Sequence, residues 1–288
     1  DADRKVELLR FERHSSPIRA AAWEPNGERV ITGDGIGTAI IWDARDGEVT
    51  HRLGRNLGAH RGAINSITWD ANRDLILTSG QDNLTRMWKA ESGEEIRSFA
   101  GNRYAALSPD GAYIITTSGD GTVIIWDAES GDELLKMQGH TERVNDADWS
   151  PDGLYVVTAS SDGTARVWDA HTGEEISQYL GHTGAVLSVE WQPTGDQIVT
   201  AGADGTACIW DAQSGEEVDQ LLGHEGEVST ATWSPDGMQI LTAGSDQTAR
   251  IWPAGIEGLL RQAEERILRQ PPEFTLEERC LYLHECEE

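Results

Sequence analysis

The chain has 288 residues, enough for one large domain or two small ones, and carries 23 basic and 50 acidic residues for a formal net charge of -27. A charge of that sign repels phosphate backbones and anionic membranes, which excludes nucleic acid and membrane surfaces as partners. No apolar run is long enough to span a bilayer, no basic-then-apolar leader opens the sequence, and the three cysteines, Cys208, Cys280 and Cys286, are too few and odd in number for a disulfide framework. A soluble, cytoplasmic protein is expected. The only lysines are Lys5, Lys89 and Lys136, a usage that suits either a saline habitat or a GC-rich genome. Because the first residue is Asp and not Met, the chain is expected to be a piece of a longer or processed polypeptide, with any catalytic domain elsewhere.

In chain order, Val6 to Phe11 reads as a strand just before His14, in the place that Glu217 to Leu222 hold before His224. It is a fourth strand without its own first three. Strand-rich units follow near 14–50, 60–98, 102–135, 140–179, 182–221 and 224–253. The stretch from Gly139 to Asp169 shows the unit in full: Gly-His, an apolar alternation ending in Trp149, the turn Ser150-Pro151-Asp152-Gly153, an apolar run to Thr158, then Asp162-Gly163-Thr164 and Trp168-Asp169. Its apolar runs are β-branched and aromatic, bounded by Pro, Asp and Gly turn chemistry, and no helical period fits them. Trp42, Trp88, Trp126, Trp168, Trp210 and Trp252 mark third strands. An earlier tryptophan, Trp23, Trp69, Trp149, Trp191 or Trp233, ends the first strand in every unit but the third, where Leu107 stands. Spacing is irregular only early: residues 51–57 look like a lengthened loop, and 101–107 have lost residues, with Asn102 in the His slot. After Pro253 the period changes. Residues 258–270 place Leu259, Leu260, Ala263, Ile267 and Leu268 on a helical stripe, Pro271-Pro272 breaks it, and 275–284 restarts as a short helix with Thr275 as N-cap and Glu278 at the capping-box position. Residues 254–288 thus form a C-terminal helical extension to a domain spanning 1–253.

Gly-His followed at fixed offsets by Asp-Gly-Thr and Trp-Asp resembles the blade of a WD-repeat β-propeller, over residues 5 to 253. The resemblance implies an all-β fold of six four-stranded blades, closed by residues 5–11 pairing with the sheet that contains Trp252. It also implies that the recurring His, Thr, Asp and Trp are buried hydrogen-bond chains: His60, Thr78, Asp82 and Trp88; His140, Thr158, Asp162 and Trp168; His182, Thr200, Asp204 and Trp210; His224, Thr242, Asp246 and Trp252. Taken alone, a hydroxyl beside a His and a carboxylate suggests a hydrolase triad, but an active site is not built several times over in one domain. Ile36 stands in the Asp slot of the first repeat beside His14, Thr32 and Trp42, and the third keeps Thr116, Asp120 and Trp126 without its His. Both repeats are expected to be less tightly fixed.

In the resembling family, partners meet the rim that holds the His loops, at positions three and five residues after the His and just before the Asp. Carried over, these are Pro17 and Arg19; Ala63, Asn65 and Gln81; Arg143, Asn145 and Ser161; Ala185, Leu187 and Ala203; Glu227, Ser229 and Ser245; with Arg103 and Gly119 aligned for the third repeat. Arg19, Arg103 and Arg143 are either solvated charge or a clamp for a carboxylate or phosphate on a protein or peptide partner.

The tail, with Thr275, Glu277, Glu278, Arg279 and Tyr282, is similar to the ends of WD-repeat regions joined to bacterial STAND-type signal-transduction NTPases. That likeness implies a non-catalytic interaction or ligand-sensing platform, the sensor end of a larger signalling or defence protein, with no cofactor. Two alternatives stay open: a ubiquitin-ligase substrate receptor, from Trp42-Asp43-Ala44-Arg45, and a propeller enzyme, for which the mouth supplies only Glu227. Cys280, His284 and Cys286 could approach a metal but lack a fourth ligand, and Gly33 to Gly37 is not followed by the helix a phosphate loop needs.

Overall fold

The computed structural model describes residues 9–54, 59–70 and 73–255. They form six blades of antiparallel strands taken in simple up-and-down order. Blade one is β1 (Ile18–Trp23), β2 (Arg29–Asp34), β3 (Ala39–Asp43) and β4 (Val49–Arg52). Blade two is β5 (Ile64–Trp69), β6 (Leu75–Gly80), β7 (Leu84–Lys89) and β8 (Glu95–Ala100). Blade three is β9 (Ala105–Leu107), β10 (Tyr113–Thr117), β11 (Val123–Asp127) and β12 (Glu133–Met137), its first strand cut to three residues where the sequence is shortened. Blade four is β13 (Val144–Trp149), β14 (Tyr155–Ser160), β15 (Ala165–Asp169) and β16 (Glu175–Tyr179). Blade five is β17 (Val186–Trp191), β18 (Gln197–Gly202), β19 (Ala207–Asp211) and β20 (Glu217–Leu221). Blade six shows β21 (Val228–Trp233), β22 (Gln239–Gly244) and β23 (Ala249–Pro253) among the described residues.

Two turns set the strand lengths. In Ser150-Pro151-Asp152-Gly153 the Ser150 carbonyl accepts from Gly153 N–H at 2.8 Å, and Gly153 sits at φ 72°. The Ser150 hydroxyl oxygen accepts from Tyr155 N–H at 2.9 Å, so β14 starts in register. At the other end of β15, the Asp169 carboxylate accepts from Thr172 N–H at 2.8 Å and His171 N–H at 2.9 Å. These bonds hold its pKa below the usual carboxylate range and turn the chain into β16.

The core lies between blades rather than within them. Val157, Ala159, Ala165 and Val167 of blade four face Val186, Val189, Trp191 and Ile198 of blade five, and all are buried. The same positions of blade five meet Val228, Ala231, Trp233 and Ile240 of blade six. Tyr179 stacks on Trp210 at 5.1 Å, tying the outer strand of one blade to the third strand of the next.

The expected closing strand falls partly on residues outside the described ones. Of its described part, Leu9 to Phe11 is not strand, and among the described residues β23 pairs only with β22. The extra loop around 55–58 and both C-terminal helices, 258–270 and 275–284, also lie outside the described residues.

Candidate functional site: the rim of the His loops

Each His loop is bolted to its own blade by a chain of three hydrogen bonds. In blade four His140 Nδ1–H donates to Asp162 at 2.9 Å, Thr158 Oγ1–H donates to His140 Nε2 at 2.8 Å, and the Trp168 indole N–H donates to Thr158 at 2.9 Å. Blade two repeats this through His60, Asp82, Thr78 and Trp88, blade five through His182, Asp204, Thr200 and Trp210, and blade six through His224, Asp246, Thr242 and Trp252. With the bonds in this direction the His140 imidazole is neutral and carries its proton on Nδ1. Burial lowers the pKa of His60 and His140 and favours that form. Burial would raise the Asp82 and Asp162 carboxyls, but hydrogen bonds outweigh it, from His60 and Arg86 on Asp82 and from Thr164 and His140 on Asp162, and hold both at about 2. Thr164, Thr206 and Thr248, each two residues past the Asp, add a hydroxyl bond to it that repeat spacing alone did not bring out.

The first repeat corrects an expectation. Ile36 is not a gap in the chain, because Asp34 takes the carboxylate's place: His14 Nδ1 bonds Asp34 at 2.9 Å, His14 Nε2 bonds Thr32 at 2.7 Å, and Trp42 donates to Thr32 at 3.2 Å. Asp34 lies two residues ahead of the slot, at the end of β2, and accepts from Ile36 and Thr38 N–H as well. The His14 chain of blade one is therefore as complete as those of blades two, four, five and six. In blade three Asn102 replaces the His with different bonds: it donates to Asn83 Oδ1 at 2.6 Å and accepts from Gly119 N–H at 3.1 Å, while Thr116 donates to the Ala100 carbonyl at 2.7 Å.

A bulge sits near the start of the first strand in five blades, between Ile18 and Ala20, Ile64 and Ser66, Val144 and Asp146, Val186 and Ser188, and Val228 and Thr230. The residue skipped by the ladder is Arg19, Asn65, Asn145, Leu187 or Ser229, each from the expected contact set. The structure then sorts them. Asn65 donates to the Asn102 carbonyl and Asn145 to the Val186 carbonyl at 2.7 Å, so both amides link their blade to the next. Ser229 bonds Ala243 O at 2.9 Å, Leu187 is half-buried, and Arg19, Gln81, Arg143 and Glu227 are exposed.

Arg103 precedes the first strand of blade three and Arg143 that of blade four, near enough for the charge of Arg143 to act on Arg103. Partial burial and then the charge of Arg143 lower the Arg103 pKa, and the buried Arg103 Nε has no hydrogen-bond partner among the described residues. Arg143 is anchored through Nε to Ser161 Oγ at 2.9 Å, which leaves the rest of its guanidinium exposed. An open groove of about 520 Å³ starts at Ser161 and runs past Leu180 to Ala185. A larger cavity of about 660 Å³ lies between blades four and five toward the opposite rim, lined by Tyr155, Ile176, Trp191 and turn residues.

Along the inner strands, side chains of one blade cap backbone N–H groups of the next. Asp146 accepts from Val189 N–H at 3.2 Å, Asp148 from Trp191 at 2.9 Å, Ser188 from Ala231 at 3.0 Å and Glu190 from Trp233 at 3.0 Å. The innermost strand is a sheet edge, and these bonds satisfy donors that face away from its own blade. Burial pushes the Asp146 and Asp148 carboxyls up to about 7 and raises that of Glu190. The native state therefore holds protons that the unfolded chain has released between the ordinary carboxylate range and about pH 7, so this term weakens the fold as pH rises through that window. Thermal melts of Asp146→Asn should show a shallower loss of melting temperature between about pH 5 and about pH 8 than the parent chain. An unchanged slope would contradict the assignment. Asp82 and Asp162 act in the opposite sense, since their contribution is present above the ordinary carboxylate range and is lost as pH falls toward 2.

Fold and rim together define a β-propeller, with six blades among the described residues, whose repeated polar chains tie the His loops to their blades. Six copies of the WD domain, G-beta repeat, match the chain at 5–43, 51–89, 93–127, 131–169, 173–211 and 215–253, and the chain belongs to the WD-repeat family. A comparison with curated proteins gives no match. As a propeller of this family it fits an interaction platform of the scaffold kind. Among the described residues no helix is long and apolar enough to cross a membrane.

Proposed function

We propose that this propeller is a non-catalytic interaction platform that holds an anionic segment of a protein partner between Arg103 and Arg143, and that it serves in the cytoplasm as the sensor end of a larger bacterial signalling or defence protein of the STAND type. The observation that carries the reading is the pairing of two like charges on a molecule of net charge -27. Such a pair costs energy when empty, the more so with Arg103 Nε buried and unbonded. A carboxylate or phosphate between the two guanidinium groups relieves the repulsion and supplies the missing acceptor, in charge-assisted bonds worth about 1.5 to 3 kcal/mol each. Leu180, exposed in the adjoining groove, offers an apolar contact to the same segment. The STAND context rests on the tail sequence alone.

A labelled hexaglutamate peptide and its hexaglutamine analogue serve as probes. Arg143→Glu and Arg103→Glu are each expected to weaken hexaglutamate binding at least about tenfold and to flatten its salt dependence. Arg45→Glu is the control, because Arg45 follows a third strand at the far rim and pairs with Asp43, whereas Arg166 donates to Glu175 at 2.6 Å and helps hold its blade. Equal affinities for all variants, or equal binding of the two peptides, would overturn the reading.

A further inference from the structure

We propose that the junction between blades six and one receives a further β-sheet blade, contributed by polypeptide outside residues 1–288, with Leu9 to Phe11 running at that blade's outermost strand.

The junctions differ when compared position by position. Trp69, Trp149, Trp191 and Trp233 end the first strands of their blades and are no more than 8% exposed, while Trp23 in the same place is 62% exposed. Ile64, Val144, Val186 and Val228 are fully buried, while their counterpart Ile18 is 47% exposed. The outward face of blade six shows the complementary defect. Ile251 is 63% exposed where Ile41, Met87, Ile125, Val167 and Ile209 are buried, and Leu241 is 43% exposed where Ile31, Leu77, Ile115, Val157 and Val199 are buried. The inner strands β1 and β5, β13 and β17, and β17 and β21 pack along one another, but β21 and β1 share no such contact. One open face is therefore of the kind each blade turns to its successor, and the other of the kind each blade turns to its predecessor. A body that covers both must carry one face of each kind, which is the description of a blade.

Two described residues say where its last strand runs. Phe11 stacks on Trp42 at 4.7 Å, as Tyr179 does on Trp210, and Leu9 lies beside Gly47 as Ser177 lies beside Gly215. Tyr179 and Ser177 belong to the outer strand of the blade that precedes Trp210. Leu9 and Phe11 thus hold the outer-strand place of whatever blade precedes blade one. Were that blade six, the register of β15 with β16 would pair Ala249 with Phe11, yet among the described residues β23 pairs only with β22. Large apolar side chains left open on two facing sheet surfaces, at positions buried in blades two, four and five, mark an unfilled interface.

The missing strands can be supplied from the chain itself. Residues 182–214, which carry three blade strands, are placed directly ahead of Lys5 so that Leu9 to Phe11 follow in the place of β20. Hydroxyl-radical footprinting and light-scattering mass are compared for this extended chain and for residues 1–288. In 1–288 Trp23 is expected to oxidise much faster than Trp191; in the extended chain, which remains monomeric, its rate falls to that of Trp191 and the melting temperature rises. Protection of Trp23 in monomeric 1–288 would show that this chain covers the junction itself, by direct closure of the six blades or with residues 256–288, and would overturn the proposal. Concentration-dependent protection with a doubled mass would overturn it in favour of a second copy. A monomeric extended chain in which Trp23 stays as reactive as in 1–288 would also count against it.

Discussion

Thr158→Val should lower the unfolding free energy by about 3 kcal/mol in urea titrations, although the substitution keeps the shape of the side chain. The Thr158 hydroxyl is fully buried, donates to His140 Nε2 at 2.8 Å and accepts the Trp168 indole N–H at 2.9 Å. Valine leaves both partners buried and unbonded, and neither can turn toward water, because Trp168 is packed into the core between blades three and four. Each unsatisfied group costs roughly 1 to 3 kcal/mol, far more than the small apolar gain of one methyl for one hydroxyl. A loss under about 1 kcal/mol would mean that the chain is not a stabilising element and would reopen a chemical role for His140.

The other large effect is expected from backbone geometry. Gly37 has φ 91°, and a Cβ there would stand 2.0 Å from the His60 carbonyl oxygen and 2.8 Å from that of Gly62. Its own carbonyl accepts from Ala59 N–H at 2.9 Å and His60 N–H at 3.1 Å, so the turn of blade one is a seat for the His loop of blade two. Gly37→Ala must displace that loop, and a cost of about 3 kcal/mol or more follows from strain plus the lost bonds. Gly27 gives the comparison, with φ 75° and no atom within 4 Å of the place a Cβ would take. Gly27→Ala should cost only the left-handed backbone penalty of about 1 kcal/mol. Equal melting temperatures for the two variants would show that contact between blades does not depend on this seat.

The regular blades were legible because turn chemistry, period-two alternation and the paired tryptophans all recur at one spacing, and each has a local physical cause. Trp168 and Thr158 could be matched by counting, since β14 and β15 have fixed lengths between fixed turns. Asp34 was missed for the same reason: counting assigns the carboxylate to position 36, but side-chain reach from the end of β2 allows a residue two places earlier to bond the same His. Arg103 and Arg143 were placed on one rim by alignment, yet their mutual repulsion and the unbonded Nε depend on burial that no spacing encodes. Asp146, Asp148 and Glu190 read as ordinary polar residues on alternating strands. Only the next blade's N–H groups, some 43 residues further on, give them their role. The closing strand was anticipated from a complementary pair of defects at the two ends of the repeat region. Whether Leu9 to Phe11 meets β23 is settled by tertiary contacts that a strand pattern does not contain.

Docking of partners on the rim of the His loops can be read out by amide hydrogen exchange with and without hexaglutamate peptide. Slowed exchange should concentrate at Arg103, Tyr104 and the loop from Thr141 to Val144, spread into Thr183 to Ala185, and vanish in Arg143→Glu. Protection centred on the Trp-Asp turns of the opposite rim, or around Tyr155 and Trp191 in the larger cavity, would contradict it.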